Sequence, residues 1–255
     1  MDFRFTILCV TSLLSLLATA SANAATVVLP DSTGATAGLT RIECVPDGGA
    51  HTHQLRGAII DTGIVDISYE VILTAAHGLP TDVDALRRSC RVVGADNGRY
   101  RIESVWRPDS RGRGSVDDWA VLLTERRLSG AVKRLRSLAI DHAARQRMTG
   151  DEMPVRLPLR SLGSERACSL TPPGSLGMDL TAELFGHTCR AWSGHSGSPI
   201  LTIVEDEVYL LGIHLGSRWI VEEHAALEIG RYLDATILEA IHAATARRRE
   251  SGRSE

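Results

Sequence analysis

Residues 194–213 read GHSGSPILTIVEDEVYLLGI. Ser196 stands between two glycines, with His195 before it and Pro199 three positions on. Glycine and serine gather in turns, because glycine tolerates positive φ and a serine hydroxyl bonds nearby backbone. On GHSGS alone, an ordinary turn and a loop that presents a hydroxyl fit equally well. The continuation decides the architecture. PILTIV and VYLLGI are short runs of β-branched and bulky apolar residues parted by the acidic EDE. Such runs read as strands joined by a turn, not as a helix. Ser196 therefore sits in a turn that opens into β-structure.

The same texture extends in both directions. From residue 39, LTRIECV, RGAIID, YEVILTAA, CRVVGA, RYRIESVW and DWAVLLTE alternate with turn residues. Their spacing is that of a sandwich or barrel. Residues 131–148, AVKRLRSLAIDHAARQRM, break the pattern and read as a link between two halves. MPVRLPL, ACSLT, ELFGHTC, SPILTIV and VYLLGIHLG resume it. Further on, Leu233, Ile237, Leu238 and Ile241 share one helical face, and Asp234 stands where an N-cap belongs. Residues 248–255 are polar and read as a tail. The fold class is all-β, with one C-terminal helix over 233–247.

The 255 residues carry a formal net charge of −3, a balance that gives no sign of a nucleic-acid partner. The start, MDFRFTILCVTSLLSLLATASANA, has Arg4, an apolar run from Ile7 to Leu17 and the small-x-small set Ala22-Asn23-Ala24. That is the layout of an export signal. The run is shorter than the roughly 20 residues of a membrane span. Residues 1–24 are thus expected to be removed, leaving a secreted or periplasmic protein with no stable membrane association. Residues 25–38 read as a flexible lead-in or pro-segment. Cys44, Cys90, Cys168 and Cys189 then remain, an even number that in an exported chain reads as two disulfides, with three pairings open. No two of them form a CxxC-type clamp, so neither a metal nor a cofactor is expected.

A serine hydroxyl is a weak nucleophile until a neighbouring base takes its proton. Among the nine histidines, His77 ends a β-like run in VILTAAHGL, where small neighbours leave its ring room to reach a cleft. Asp118, in SVDDWAVLLTE, stands at the entrance of a strongly apolar run. A carboxylate buried there needs a partner, because an unpaired buried charge is very costly. His77 is the candidate partner. Asp117 is the rival acid, and adjacent strand positions face opposite ways.

TAAH, then DWAVL, then GHSGSP, in that order, resemble the trypsin-like (chymotrypsin-fold) serine peptidases over residues 39–245. The resemblance implies two antiparallel six-stranded β-barrels, about 39–135 and 150–230, with the site between them and a C-terminal helix. It implies a secreted serine endopeptidase that hydrolyses a protein or peptide substrate through an acyl-enzyme. Carried over residue by residue, Ser196 is the nucleophile, His77 its base and then acid, and Asp118 the group that holds the imidazole tautomer. The backbone N–H groups of Gly194 and Ser196 would form the oxyanion hole.

His195 departs from the trypsin pattern, which has an acid there to bind a freed N-terminus, and no IVGG-like start is visible. That activation route is therefore not implied. GHSGSP followed by LLGIHLGS is similar to the bacterial glutamyl endopeptidase (V8-like) branch. In the trypsin-like family the position six residues before the nucleophile, here Arg190, lies at the base of the pocket for P1, the residue before the scissile bond. His214 matches the pocket histidine of the V8-like branch, and Ser193 and Ser217 would add hydroxyls at the walls. Together they would attract an acidic side chain. The expected disulfides are Cys44–Cys90, flanking the His77 loop in one barrel, and Cys168–Cys189, bracing the segment before Ser196.

Two other readings compete. GHSGS is close to the G-x-S-x-G elbow of α/β-hydrolase esterases, but that elbow needs a helix after the serine and a glycine where Ser198 stands. The other is a catalytically inactive binding protein on the chymotrypsin fold, since a fold does not carry activity with it.

Overall fold

Apolar residues at consecutive strand positions mean that both faces of the strand are covered. VILT behaves this way. It forms β3 (Val71–Thr74), buried at every position. Ile72 joins a cluster inside the first barrel, whereas Val71 and Leu73 join a second cluster that also takes residues from the other barrel. AVLLT repeats the arrangement in β6 (Ala120–Thr124): Ala120 and Leu122 face inward, and Val121 and Leu123 face the shared cluster. The computed structural model describes residues 38–45, 52–65, 67–109, 112–129, 132, 134–138, 153–158, 166–171, 180–205, 207–220 and 225–251. The export signal, the lead-in up to residue 37 and residues 139–148 of the link lie outside the described residues.

The first barrel comprises β1 (Leu39–Cys44), β2 (His53–Ile59), β3, β6, β5 (Arg99–Trp106) and β4 (Cys90–Val93). It closes antiparallel in the order β1-β2-β3-β6-β5-β4. The second comprises β11 (Pro199–Val204), β8 (Pro154–Leu157), β9 (Arg166–Thr171), β10 (Leu184–His187), β13 (Ala225–Tyr232) and β12 (Glu207–Ile220). Pairing of β11 with β12 closes it. Both six-stranded barrels are as the sequence led us to expect. Phe185, Leu157, Ile200, Leu211 and Tyr232 fill the second one. β11 directly follows the Ser196 turn, so the strand-to-helix elbow of an α/β-hydrolase is absent and that reading falls.

Cys44 and Cys90 face each other across β1 and β4 and are bonded. Cys168, on β9, is bonded to Cys189 just beyond β10. No helix among the described residues is long and apolar enough to cross a membrane.

Three elements escaped the sequence reading. A short helix, α1 (Val83–Ser89), is capped by the Asp82 carboxylate, which accepts from Ala85 N at 2.6 Å. β7 (Arg136–Ser137), within the assumed link, adds to β12 in parallel. β13 carries Glu, Gly and Arg among its apolar residues and is specified by its register against β12.

The C-terminal helix also needs correction. α2 runs Ala235–Ser251, so it starts later than residue 233 and takes in 248–251, read above as polar tail. Asp234 does cap it, accepting from Ile237 N at 3.2 Å. Its last turn is held by partners that a polar run cannot reveal. The Arg247 guanidinium lies 4.4 Å over the Trp106 ring, and Arg248 donates to the Glu103 carboxylate at 2.6 Å.

Candidate active site

The site is built on the ends of strands. β3 ends at Thr74, and the turn after it carries His77; the turn before β6 carries Asp118; the turn before β11 carries Ser196. Asp118 is fully buried. Its Oδ1 accepts from the backbone N–H groups of Ala76 (3.0 Å) and His77 (2.8 Å). Its Oδ2 lies 2.8 Å from His77 Nδ1 and accepts from Gly114 N at 2.6 Å. A buried carboxylate with four such contacts is well compensated. His77 Nε2 in turn lies 3.0 Å from Ser196 Oγ. With Asp118 accepting at Nδ1–H, the lone pair of Nε2 faces the hydroxyl. Asp117 makes none of these bonds to His77, so the two neighbouring acids divide as alternation suggests.

The Ser196 turn is pinned from both barrels. Arg56 N donates to Ser196 O at 2.8 Å, and Gly197 N donates to His214 O at 2.7 Å. Gly194 and Gly197 take φ of +90° and +82°, a region that side chains disfavour. Among the described residues, no group accepts from the amides of Gly194 and Ser196. His195 Nδ1 lies 3.1 Å from both Trp192 N and Trp192 O, which closes this turn locally. A Cβ on residue 197 would collide with the Arg56 carbonyl and Thr74 Oγ1. Gly197→Ala is therefore expected to shift the turn and lower kcat/KM on any substrate by about 10²-fold, the cost of displacing a reacting group by around 1 Å. Steady-state kinetics on purified variant checks this, and wild-type turnover would contradict the packing argument.

The hydroxyl opens into a cleft of about 390 Å³, bordered by His53, Trp192, Arg113 and the predicted Gly194, Ser193, His214 and Ser217. Arg190 is not part of it. It follows Cys189, which the disulfide turns inward, and the alternation leaves Arg190 exposed. The expected cation at the base of the pocket is thus missing. Nor is His214 a cation. It is 2 % exposed, and burial, followed by the charges of His195, His77 and Arg113, pushes its pKa down to about 3.

His187 stands behind it, its Nε2 3.1 Å from His214 Nδ1, and burial holds His187 well below the ordinary imidazole value. Both rings are neutral in the folded protein and gain protons on unfolding below about pH 6.5. Their contribution is complete above that value and is lost as pH falls, by up to about 1.4 kcal/mol per pH unit for each. Tm is expected to fall between pH 6.5 and 4.5, and less steeply in His187→Asn. Equal slopes for the two proteins would contradict this.

The sequence missed four residues here: the Gly114 amide on Asp118, Arg113 at the rim, His187, and Glu228 opposite Ser217. Only Gly114, four residues before Asp118, left a local trace. Arg113 comes in on the same turn as Gly114 without a motif of its own, and His187 and Glu228 arrive through register between distant strands. Among the described residues, no three of His, Cys, Asp or Glu gather to hold a metal ion.

No family model matches the chain, and no curated protein matches it. Among solved structures, that of the protease Anisep from Arthrobacter nicotinovorans is similar, with a TM-score of 0.55 over 84 % of this chain and 97 % of that one. The fold is chymotrypsin-like. The sequence identity is 14 %, so the likeness is one of fold. The His77 and Asp118 turns of the first barrel and the Ser196 turn of the second meet at the seam between the two barrels.

Proposed function

We propose that the chain is a serine endopeptidase of the chymotrypsin fold. The observation that carries this is the unbroken chain from Asp118 Oδ2 through His77 to Ser196 Oγ, at 2.8 and 3.0 Å, opening on a cleft. Ser196 Oγ attacks the scissile carbonyl carbon while His77 Nε2 takes its proton. The negative oxygen forms against the amides of Gly194 and Ser196, which need not reorganise to receive it. The imidazolium then protonates the leaving amine, and the acyl group remains on Ser196. Water, deprotonated by His77, releases it. Asp118 stays ionised and keeps the Nδ1–H tautomer.

The unengaged amides at the turn favour this reading over an inert binding protein, which has no use for them. The two disulfides support action outside the cytosol, secreted or periplasmic. Kinship with the glutamyl endopeptidase branch, and with it an acidic P1, would draw on Ser193, His214 and Ser217. The loss of Arg190 from the cleft and the neutrality of His214 weaken it. The test is a complex peptide mixture digested by wild type and by His77→Ala. New termini are expected with wild type only; none with either protein would refute the proposal.

A further inference from the structure

β12 and β13 bring Ser217 opposite Glu228, and the Glu228 side chain is only 14 % exposed. Its carboxyl accepts from Ser217 Oγ at 2.7 Å and from the Ala191 backbone N–H. Its Oε2 lies 3.8 Å from His214 Nε2. Ala191, His214 and Ser217 all line the cleft beside Ser196, so the carboxyl lies directly behind the lining of that cleft, against three of its residues. Among the described residues no arginine or lysine pairs with Glu228.

We infer that Glu228 sets the P1 preference of the proposed peptidase, selecting Arg or Lys and rejecting Glu and Asp. This rests on the peptidase reading above and names its substrate class. Three of the donors that would read an acidic P1 already face a carboxyl of the protein itself. The Ser217 hydroxyl is spent on it, the Ala191 amide is bound to it, and the neutral His214 ring turns its Nε2 edge toward it. A second carboxylate would find few donors left and would lie beside a like charge, which is penalised. A guanidinium or ammonium would instead meet an acceptor with no cation of its own, sheltered from water, where charge-assisted bonds are strong.

Burial raises the Glu228 pKa, while the Ser217 and Ala191 hydrogen bonds pull the other way; a bound cation would favour the ionised form further. Arg113 is the competing charge. It stands at the rim, where a Cβ on Gly216 would lie 3.7 Å from its Nε, and it is exposed. Solvent screens it more than the sheltered carboxyl, so the carboxyl prevails.

The full chain, as wild type and Glu228→Gln, is assayed on a peptide library varied at P1. Wild type is expected to cleave after Arg or Lys at least 10²-fold better than after Glu. In Glu228→Gln that ratio should fall by about 10²-fold, the usual cost of removing one partner of a buried pair. In parallel, n-butylguanidinium should slow fluorophosphonate labelling of wild type, whereas butyrate should not; this needs no variant to fold. Cleavage chiefly after Glu, an unchanged P1 profile in a folded Glu228→Gln, or protection by butyrate alone overturns the inference and leaves the peptidase standing. A wild type that takes no label and cleaves nothing overturns both.

Discussion

Ser196→Ala is expected to lower kcat by about 10⁶-fold, as in comparable triads, while Tm hardly moves. Both halves of this expectation follow from the contacts. The hydroxyl's one described partner is His77 Nε2. The turn that holds residue 196 is fixed instead by its backbone, through Arg56 N to Ser196 O and Gly197 N to His214 O. Alanine keeps all of that and loses only the nucleophile. Peptide hydrolysis and thermal unfolding of the same preparation check the pair of outcomes. Retention of most of the activity would remove Ser196 from the chemistry.

Asp118→Asn comes next, with an expected loss of about 10⁴-fold in kcat from the wrong imidazole tautomer. The geometry says how the error arises. Two fixed backbone N–H groups, of Ala76 and His77, face Oδ1, and an amide NH₂ cannot sit against them. The NH₂ therefore takes the Oδ2 side, where the imidazole can still adapt. His77 Nδ1 becomes an acceptor, its proton moves to Nε2, and Nε2–H then points at Ser196 Oγ with no lone pair to accept from it. The Gly114 amide loses its acceptor too, which should cost about 1–3 kcal/mol of stability. Asp117→Asn serves as the comparison, with activity within a few-fold of wild type. Damage from Asp117→Asn in place of Asp118→Asn would mean that the wrong carboxylate was chosen.

What could be read from the sequence was what is encoded locally. VILT and AVLLT announce strands covered on both sides because they are apolar at every position before the closing threonine. His77, Asp118 and Ser196 could be picked out because each lies at the end or entrance of such a run. Gly194 and Gly197 were legible because a turn with positive φ needs them. What stayed hidden depends on residues brought together from afar. β13 looks unlike a strand until β12 lies beside it, and Arg248 looks like tail until Glu103 meets it. Arg190 was placed in the pocket by counting along the chain, but the neighbouring disulfide sets which way it points. Glu228 carries no motif at all. It matters only because register sets it opposite Ser217, behind the wall of a cleft formed by other turns.

The central claim is that the Ser196 hydroxyl is made nucleophilic by His77, and covalent labelling tests it most directly. Wild type, His77→Ala and Ser196→Ala are treated with a fluorophosphonate, and the adduct is located by peptide mass spectrometry. One phosphonyl group on Ser196 of wild type, at least 10³-fold slower labelling of His77→Ala and no adduct on Ser196→Ala is the expected result. An unlabelled wild type, or an equal rate in His77→Ala, would contradict it.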